Sequence, residues 1–250
     1  MFNMGTSASL VFLDSKNFGK VWAAENPNTR PIDKTLIFID WDDTLFPTTW
    51  MLAQGMSQTT SSSEDKKYVQ LLEGISSAII MFLARIKTFG RIVIVTNSQT
   101  GWVSDCIKRY MPSMAPTLET IPICSARSTY EFLTDIPVMW KKMAFGREIL
   151  ETYGTDETRQ RNVLSIGDGL AERVAVGKVK AENTYVKSIK LYDAPTPSSI
   201  IRQLMFVDEN LVKIINHTGD LDLTISSSRE TKNSIRGVEP PWDPANAKVF

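Results

Sequence analysis

The sequence predicts an α/β fold: a doubly wound parallel sheet of about five strands, with helices on both faces. Two patterns carry that expectation. Short apolar runs rich in β-branched residues alternate along the chain with segments whose apolar residues recur at helical spacing. The polar residues capable of chemistry stand directly after the apolar runs, where sheets of this kind bind ligands, beyond the carboxyl ends of the strands. Composition agrees. With 42% hydrophobic and 22% charged residues over 250 positions, one large domain, or a domain with appendages, can bury a full core. These values exclude chain-wide disorder, a collagen-like repeat and a disulfide scaffold.

Taken in order, residues 1–34 mix apolar and turn residues and read as an N-terminal extension. The apolar run 35–39 stops at an acidic cluster and reads as a first buried strand. Residues 46–63 are irregular, and Ser62 with Asp65 can cap the helix that follows. In that helix Tyr68, Leu72, Ile75, Ile79, Phe82 and Ile86 form an apolar stripe that ends at Gly90. Residues 91–95 form a second strand, 102–110 a short helix halted by Pro112, and 120–124 a third strand weakened by Pro122. A helix over 138–153 ends at Gly154; strands follow at 162–166 and 184–191, then a helix over 198–216. The folded α/β domain thus spans 35–217, and the polar composition of 218–250 reads as a tail.

Lys+Arg and Asp+Glu number 28 each, so the formal charge is zero, which argues against a dedicated nucleic-acid binder. Cys106 and Cys124 lie in apolar stretches and read as buried thiols, which suits a reducing, cytoplasmic compartment. No run approaches the roughly 18 consecutive apolar residues of a membrane span. His217 is the lone histidine and lies far from the acidic clusters, so histidine-based catalysis has no support.

Three carboxylates, Asp40, Asp42 and Asp43, fall within four positions after the first strand and repel one another unless a cation or hydrogen-bond donors compensate. With Thr44 and Leu45 they complete an apolar strand followed by DxDx[TV][LV]. Here the sequence resembles the haloacid dehalogenase (HAD) superfamily, although Asp43 stands where many members have glycine. Three further stretches carry the resemblance. The run 92–95 ends in Thr96-Asn97; Lys141 or Lys142 opens a later helix; and 163–166 lead into Gly167-Asp168, with Glu172 four residues on.

The resemblance implies an Mg²⁺-dependent phosphatase acting on phosphate monoesters. Asp40 would be the nucleophile, Asp42 the general acid/base, and Thr96, Asn97 and the lysine, with Lys141 preferred to Lys142, the phosphate-binding groups. Asp40, Asp42 (through its carbonyl), Asp168 and Glu172 would hold the metal. Retention of the second aspartate favours phosphatases or phosphotransferases over dehalogenases. A catalytically idle fold used for binding would ordinarily have lost a motif carboxylate. Neither usual cap position holds enough chain for a folded cap, so the cleft is expected to be open, with Trp41, Phe46, Trp50 and Tyr130 as candidate lining aromatics. An open cleft suits a phosphorylated protein or nucleic-acid end better than a small molecule, or an oligomer that closes it. Arg159, Arg161, Arg173, Lys178 and Lys180 are candidates for steering an anionic substrate.

Overall fold

The computed structural model describes residues 10–13, 35–55, 65–156 and 158–225. Its strands are β1 (Leu10–Leu13), β2 (Thr35–Ile39), β3 (Gly90–Thr96), β4 (Ile123–Ser125), β5 (Arg161–Gly167), β6 (Thr184–Lys190) and β7 (Leu221–Ile225). They form one parallel sheet of seven strands in the order β1-β7-β6-β5-β2-β3-β4. From β2 the chain proceeds outward through β3 to β4, then returns to place β5 on the other side of β2. The strand order therefore reverses between β2 and β5. At such a switch point adjacent connections leave in opposite directions, and a crevice opens at the carboxyl ends.

Every residue of β2 is buried, as expected of a central parallel strand covered on both faces. Alternation divides it: Ile37 and Ile39 enter one core, Leu36 and Phe38 the other. The first core is closed by α2 (Asp65–Lys87) and α8 (Pro197–Asn216), whose Leu72, Ile79, Leu83, Leu204 and Leu211 lie together. Part of α2, Tyr68–Lys87, is long and apolar enough to cross a membrane by length and composition, although polar residues interrupt its apolar ones. Here its buried stripe is packed into the core. The second core is closed by α6 (Pro137–Tyr153) and α7 (Leu170–Lys178). The rings of Phe38 and Phe145 stack there at 4.0 Å.

The sheet exceeds the expected size at one edge. β7 arises from residues expected to be polar tail, and β1, within the expected extension, pairs with it. Asp222 of β7 is buried and receives three hydrogen bonds from Arg173 of α7, at 2.6, 2.7 and 3.0 Å. This buried ion pair gives Arg173 a structural role instead of the steering one. Lys180 likewise pairs with Asp220, and Arg161 donates to the carbonyls of Gly154 and Asp156 at the end of α6. The third strand begins one residue after Pro122, which has no N–H to give the ladder but accepts from Ile94 N through its carbonyl at 2.9 Å.

A short helix, α1 (Thr48–Ala53), occupies part of the stretch expected to be irregular, and another, α5 (Ala126–Tyr130), follows β4. The helix α3 (Trp102–Tyr110) and a single turn α4 (Ala115–Leu118) complete the set. The expected cap at Ser62 and the chain beyond 225 lie outside the described residues.

Candidate active site

Asp40 follows β2 at the switch point, and its N–H donates to the carbonyl of Ile166 in β5 at 2.9 Å. Beyond it the chain wraps around one acceptor: the N–H groups of Thr44, Leu45 and Phe46 all point to the carbonyl of Trp41, at 3.3, 3.0 and 3.0 Å. That loop requires a left-handed residue, and Asp43 supplies it with φ of 53°. Aspartate tolerates this region better than most side chains. Its carboxylate is anchored by the N–H and hydroxyl of Thr49, at 2.9 and 2.5 Å. The glycine position of the resembling family is thus filled by a residue with its own local partner.

Lys141, on the second turn of α6, is 1% exposed. Its ammonium donates to Asp40 Oδ1 at 2.7 Å and to Glu172 Oε1. Lys142 points elsewhere, into a groove between α6 and α7. Burial opposes the lysine charge, but the two carboxylates outweigh it and raise the Lys141 pKa. Burial pushes the Asp40 carboxyl well above its ordinary range despite Lys141. For Glu172 burial acts in the same direction, and its contacts with Lys141 overcome it and hold the carboxyl low. Close backbone approach lets Glu172 lie here: a Cβ at Gly167 would sit 2.7 Å from Glu172 Cγ. The glycine of the fourth motif is therefore a packing requirement of the acid four residues later.

Asp168 is positioned through its backbone, its N–H donating to Thr44 Oγ1 at 3.2 Å and its carbonyl accepting from Lys190 Nζ at 2.6 Å. Its carboxyl is pushed up to about 7, first by burial and then by the neighbouring charges of Glu172 and Asp43. Negative charge is in excess at this end of the sheet.

Asp42 is held differently. Oδ1 accepts from Thr48 Oγ1 at 2.6 Å and from Trp102 Nε1 at 2.7 Å; Oδ2 accepts from Ser98 Oγ at 2.7 Å and from Thr96 Oγ1 at 3.1 Å. Trp102 reaches it because Gly101, at φ of 97°, turns the chain into α3 in a conformation that favours glycine. The hydroxyl of Thr96 is thus directed at Asp42, and Asn97 Nδ2 donates to the carbonyl of Pro137 at 3.4 Å. Asp40, Asp42, Asn97, Lys141 and Glu172 share one cleft of about 700 Å³, with Trp102 and Arg127 in its wall.

The four aromatics proposed from sequence do not line this cleft. Trp41 and Phe46 are fully buried and stacked, Trp50 packs edge-on against Tyr68, and Tyr130 packs on the second core. Sequence reasoning missed Thr48, Ser98, Trp102 and Arg127. Only Ser98 carried a signal, its place beside the second motif.

Among the described residues no three His, Cys, Asp or Glu side chains converge tightly enough to hold a metal unaided. The donors nevertheless fit a hard cation. They are all oxygen, Asp168 lies among carboxylates whose charge Lys141 and Lys190 offset only in part, and Glu172 Oε2 is buried without a hydrogen-bond partner. Mg²⁺ takes only one or two carboxylates and keeps several waters, so a three-carboxylate cage is not needed.

The chain matches no protein-family model and no curated protein sequence at a significant level. Two solved structures are similar to it. One is a haloacid dehalogenase-like hydrolase from Burkholderia xenovorans LB400, 11% identical, with a TM-score of 0.41 over 77% of this chain and 94% of that one. The other is a HAD family hydrolase from Deinococcus radiodurans R1 with bound phosphate and sodium, 12% identical, with a TM-score of 0.37 over 80% of this chain and 93% of that one.

Proposed function

We propose that this chain is a phosphoric monoester hydrolase that works through an aspartyl-phosphate on Asp40. The observation that carries the reading is the buried contact of Lys141 with Asp40 and Glu172, at the strand-order reversal, in a cleft that also holds Asp42. A lysine buried in this way supplies fixed positive charge where a phosphate dianion must meet an anionic nucleophile. An Asp40 oxygen attacks phosphorus, and the bond to the leaving oxygen breaks as Asp42 delivers a proton to it. Asp42 then takes a proton from the water that attacks the aspartyl-phosphate, which releases inorganic phosphate and restores Asp40. Lys141 stays protonated throughout and offsets charge on the phosphoryl oxygens, with Asn97 within the same cleft.

Asp40, Asp168, the Asp42 carbonyl and Glu172 would hold Mg²⁺, which when bound neutralises phosphoryl charge. The cleft leaves room for a phosphorylated side chain or a nucleic-acid end, and substrates touching its rim gain binding energy that positions the phosphoryl group. The test is a panel of small phosphomonoesters, phosphopeptides and phosphorylated oligonucleotide ends, assayed with and without Mg²⁺, with Asp40→Asn as control. Phosphate release that Asp40→Asn removes, by on the order of 10³-fold or more, supports the reading. Undiminished release by Asp40→Asn, or none from any class, overturns it.

A further inference from the structure

We infer that Arg127 binds a second anionic group of the substrate. The preferred substrate is then a phosphate monoester that carries a carboxylate or a further phosphate several atoms from the ester. The inference rests on the hydrolytic reading above and names a substrate class for it. Among the described residues, Lys141 and Arg127 are the two cations in the wall of the cleft. Lys141 is engaged by Asp40 and Glu172. Arg127 has no part in that arrangement.

The fold steadies this arginine and leaves most of its donors open. Its Nε donates to Glu131 Oε2 at 2.8 Å, one turn further along the chain, and its guanidinium carbon lies 5.9 Å from the centre of the Trp140 ring. Trp140 is itself fixed, its indole N–H donating to the carbonyl of Thr134 at 2.6 Å. A guanidinium carries five donors, and Glu131 engages one of them. Nη1 and Nη2 have no hydrogen-bond partner among the described residues. That pair can meet a carboxylate or a phosphate through two parallel bonds, a geometry common to both anions.

The helix that carries Arg127 is tied to the cleft wall. Ser125 caps α5 by accepting from the N–H of Ser128 at 3.0 Å, and its hydroxyl donates to the carbonyl of Ser98 at 2.6 Å. Ser128 Oγ accepts from the N–H of Thr100 at 3.0 Å. Ser98 and Thr100 both line the cleft, so the arginine is set against the same wall as Asn97. β4, which leads into α5, lies two strands from β2, which leads into Asp40. With neighbouring strands about 4.8 Å apart, the two strand ends are on the order of 10 Å apart. That separation calls for a linker of several atoms between the two anions. Asp105, the remaining acid of the wall, is exposed on α3, where water screens its charge.

The experiment measures kcat/KM on phosphate esters of ω-hydroxycarboxylic acids of increasing chain length, on the matching amides, and on the matching diol bisphosphates. Acid and amide differ in charge at nearly constant size. At the best length the acid or the bisphosphate should be turned over about 5-fold or more faster than the amide. Whichever is preferred identifies the second group. Arg127→Gln should remove the preference, and Arg127→Glu should invert it, because the same position then repels an anion. Equal turnover of acid, bisphosphate and amide at every length overturns the inference. So does a preference that Arg127→Gln leaves in place, and Arg127 is then only the partner of Glu131.

A second measurement does not depend on turnover. ω-Phosphonocarboxylates and their amides, which are not hydrolysed, are titrated calorimetrically into the unsubstituted protein and Arg127→Gln with Mg²⁺ present. The acid should bind about 5-fold or more tightly than the amide, and only where Arg127 is present. Equal Kd values, or binding of neither phosphonate, overturn the inference. If Asp40→Asn keeps its phosphatase activity, the hydrolytic reading fails instead, and the ratio of Kd values still decides what Arg127 holds.

Discussion

Replacing Lys187 by methionine should stabilise the fold, and only over a defined pH range. Lys187 lies in β6 with no exposed surface, its ammonium donating to the carbonyl of Ile215 at 2.6 Å. Burial lowers its pKa from the ordinary 10.5 to about 7, outweighing the opposing charge of Asp220. At about 1.36 kcal/mol per pH unit, keeping this lysine charged in the folded state costs roughly 4–5 kcal/mol. The sign follows from proton counts. Below pH 7 both states are protonated and the cost is complete; between about 7 and 10.5 the unfolded chain binds more protons, so stability rises with pH; above 10.5 both are neutral.

Methionine has a similar length and no charge, and the Ile215 carbonyl keeps its bond from Asn162 Nδ2 at 3.1 Å. Allowing for imperfect packing, Lys187→Met should gain about 2–4 kcal/mol at pH 6. At about 2–4 °C per kcal/mol for a chain of this size, Tm should rise by roughly 4–16 °C. The gain should shrink steadily as pH rises toward 10. Urea unfolding of both proteins at pH 6, 8 and 9.5 measures it. A variant less stable at pH 6, or a difference that does not change with pH, would refute the reasoning.

Lys141→Met should lower kcat on any accepted phosphomonoester by about 10²-fold or more, whereas Lys142→Met should change it by less than about 2-fold; comparable losses would disprove the assignment of the buried lysine. Chelator should abolish turnover and Mg²⁺ restore it, with Ca²⁺ a poor substitute because its larger, looser shell misplaces phosphate. Full turnover in excess chelator contradicts the metal assignment. Arg173→Ala leaves Asp222 buried with no cation and should cost about 3–5 kcal/mol by urea denaturation; a loss under about 1 kcal/mol would show that the pair contributes little to docking β7.

Much of the site was legible because its residues are neighbours along the chain or stand at element ends. Asp40 and Asp42 follow an uninterrupted apolar strand, and Asp168 and Glu172 follow another, spaced by one helical turn. Two partners of Asp42 were not legible. Thr48 is six residues away, and Trp102 is separated by 60. Nothing in the local pattern of either distinguishes a donor to a carboxylate from an ordinary helix-start residue. Conversely Trp41 and Phe46 stand beside the acidic cluster in sequence, yet the loop around the Trp41 carbonyl turns both into the core.

By itself the sequence determined the α/β class, the two-faced core and the end of the sheet at which the carboxylates gather. These follow from periodicities of two and 3.6 residues, which act over single elements. Tertiary structure alone decided three other things. It selected Lys141 over Lys142, because adjacent residues on a helix point about 100° apart and only one direction meets Asp40. It extended the sheet to seven strands, because the polar-looking segment at 221–225 gains a ladder on both sides and a buried arginine for its aspartate. It also surrounded Asp42 with four donors, from the start of α1, the end of β3 with the turn after it, and the start of α3, since a carboxylate partly removed from water is stable where the fold returns the hydrogen bonds that water gave up.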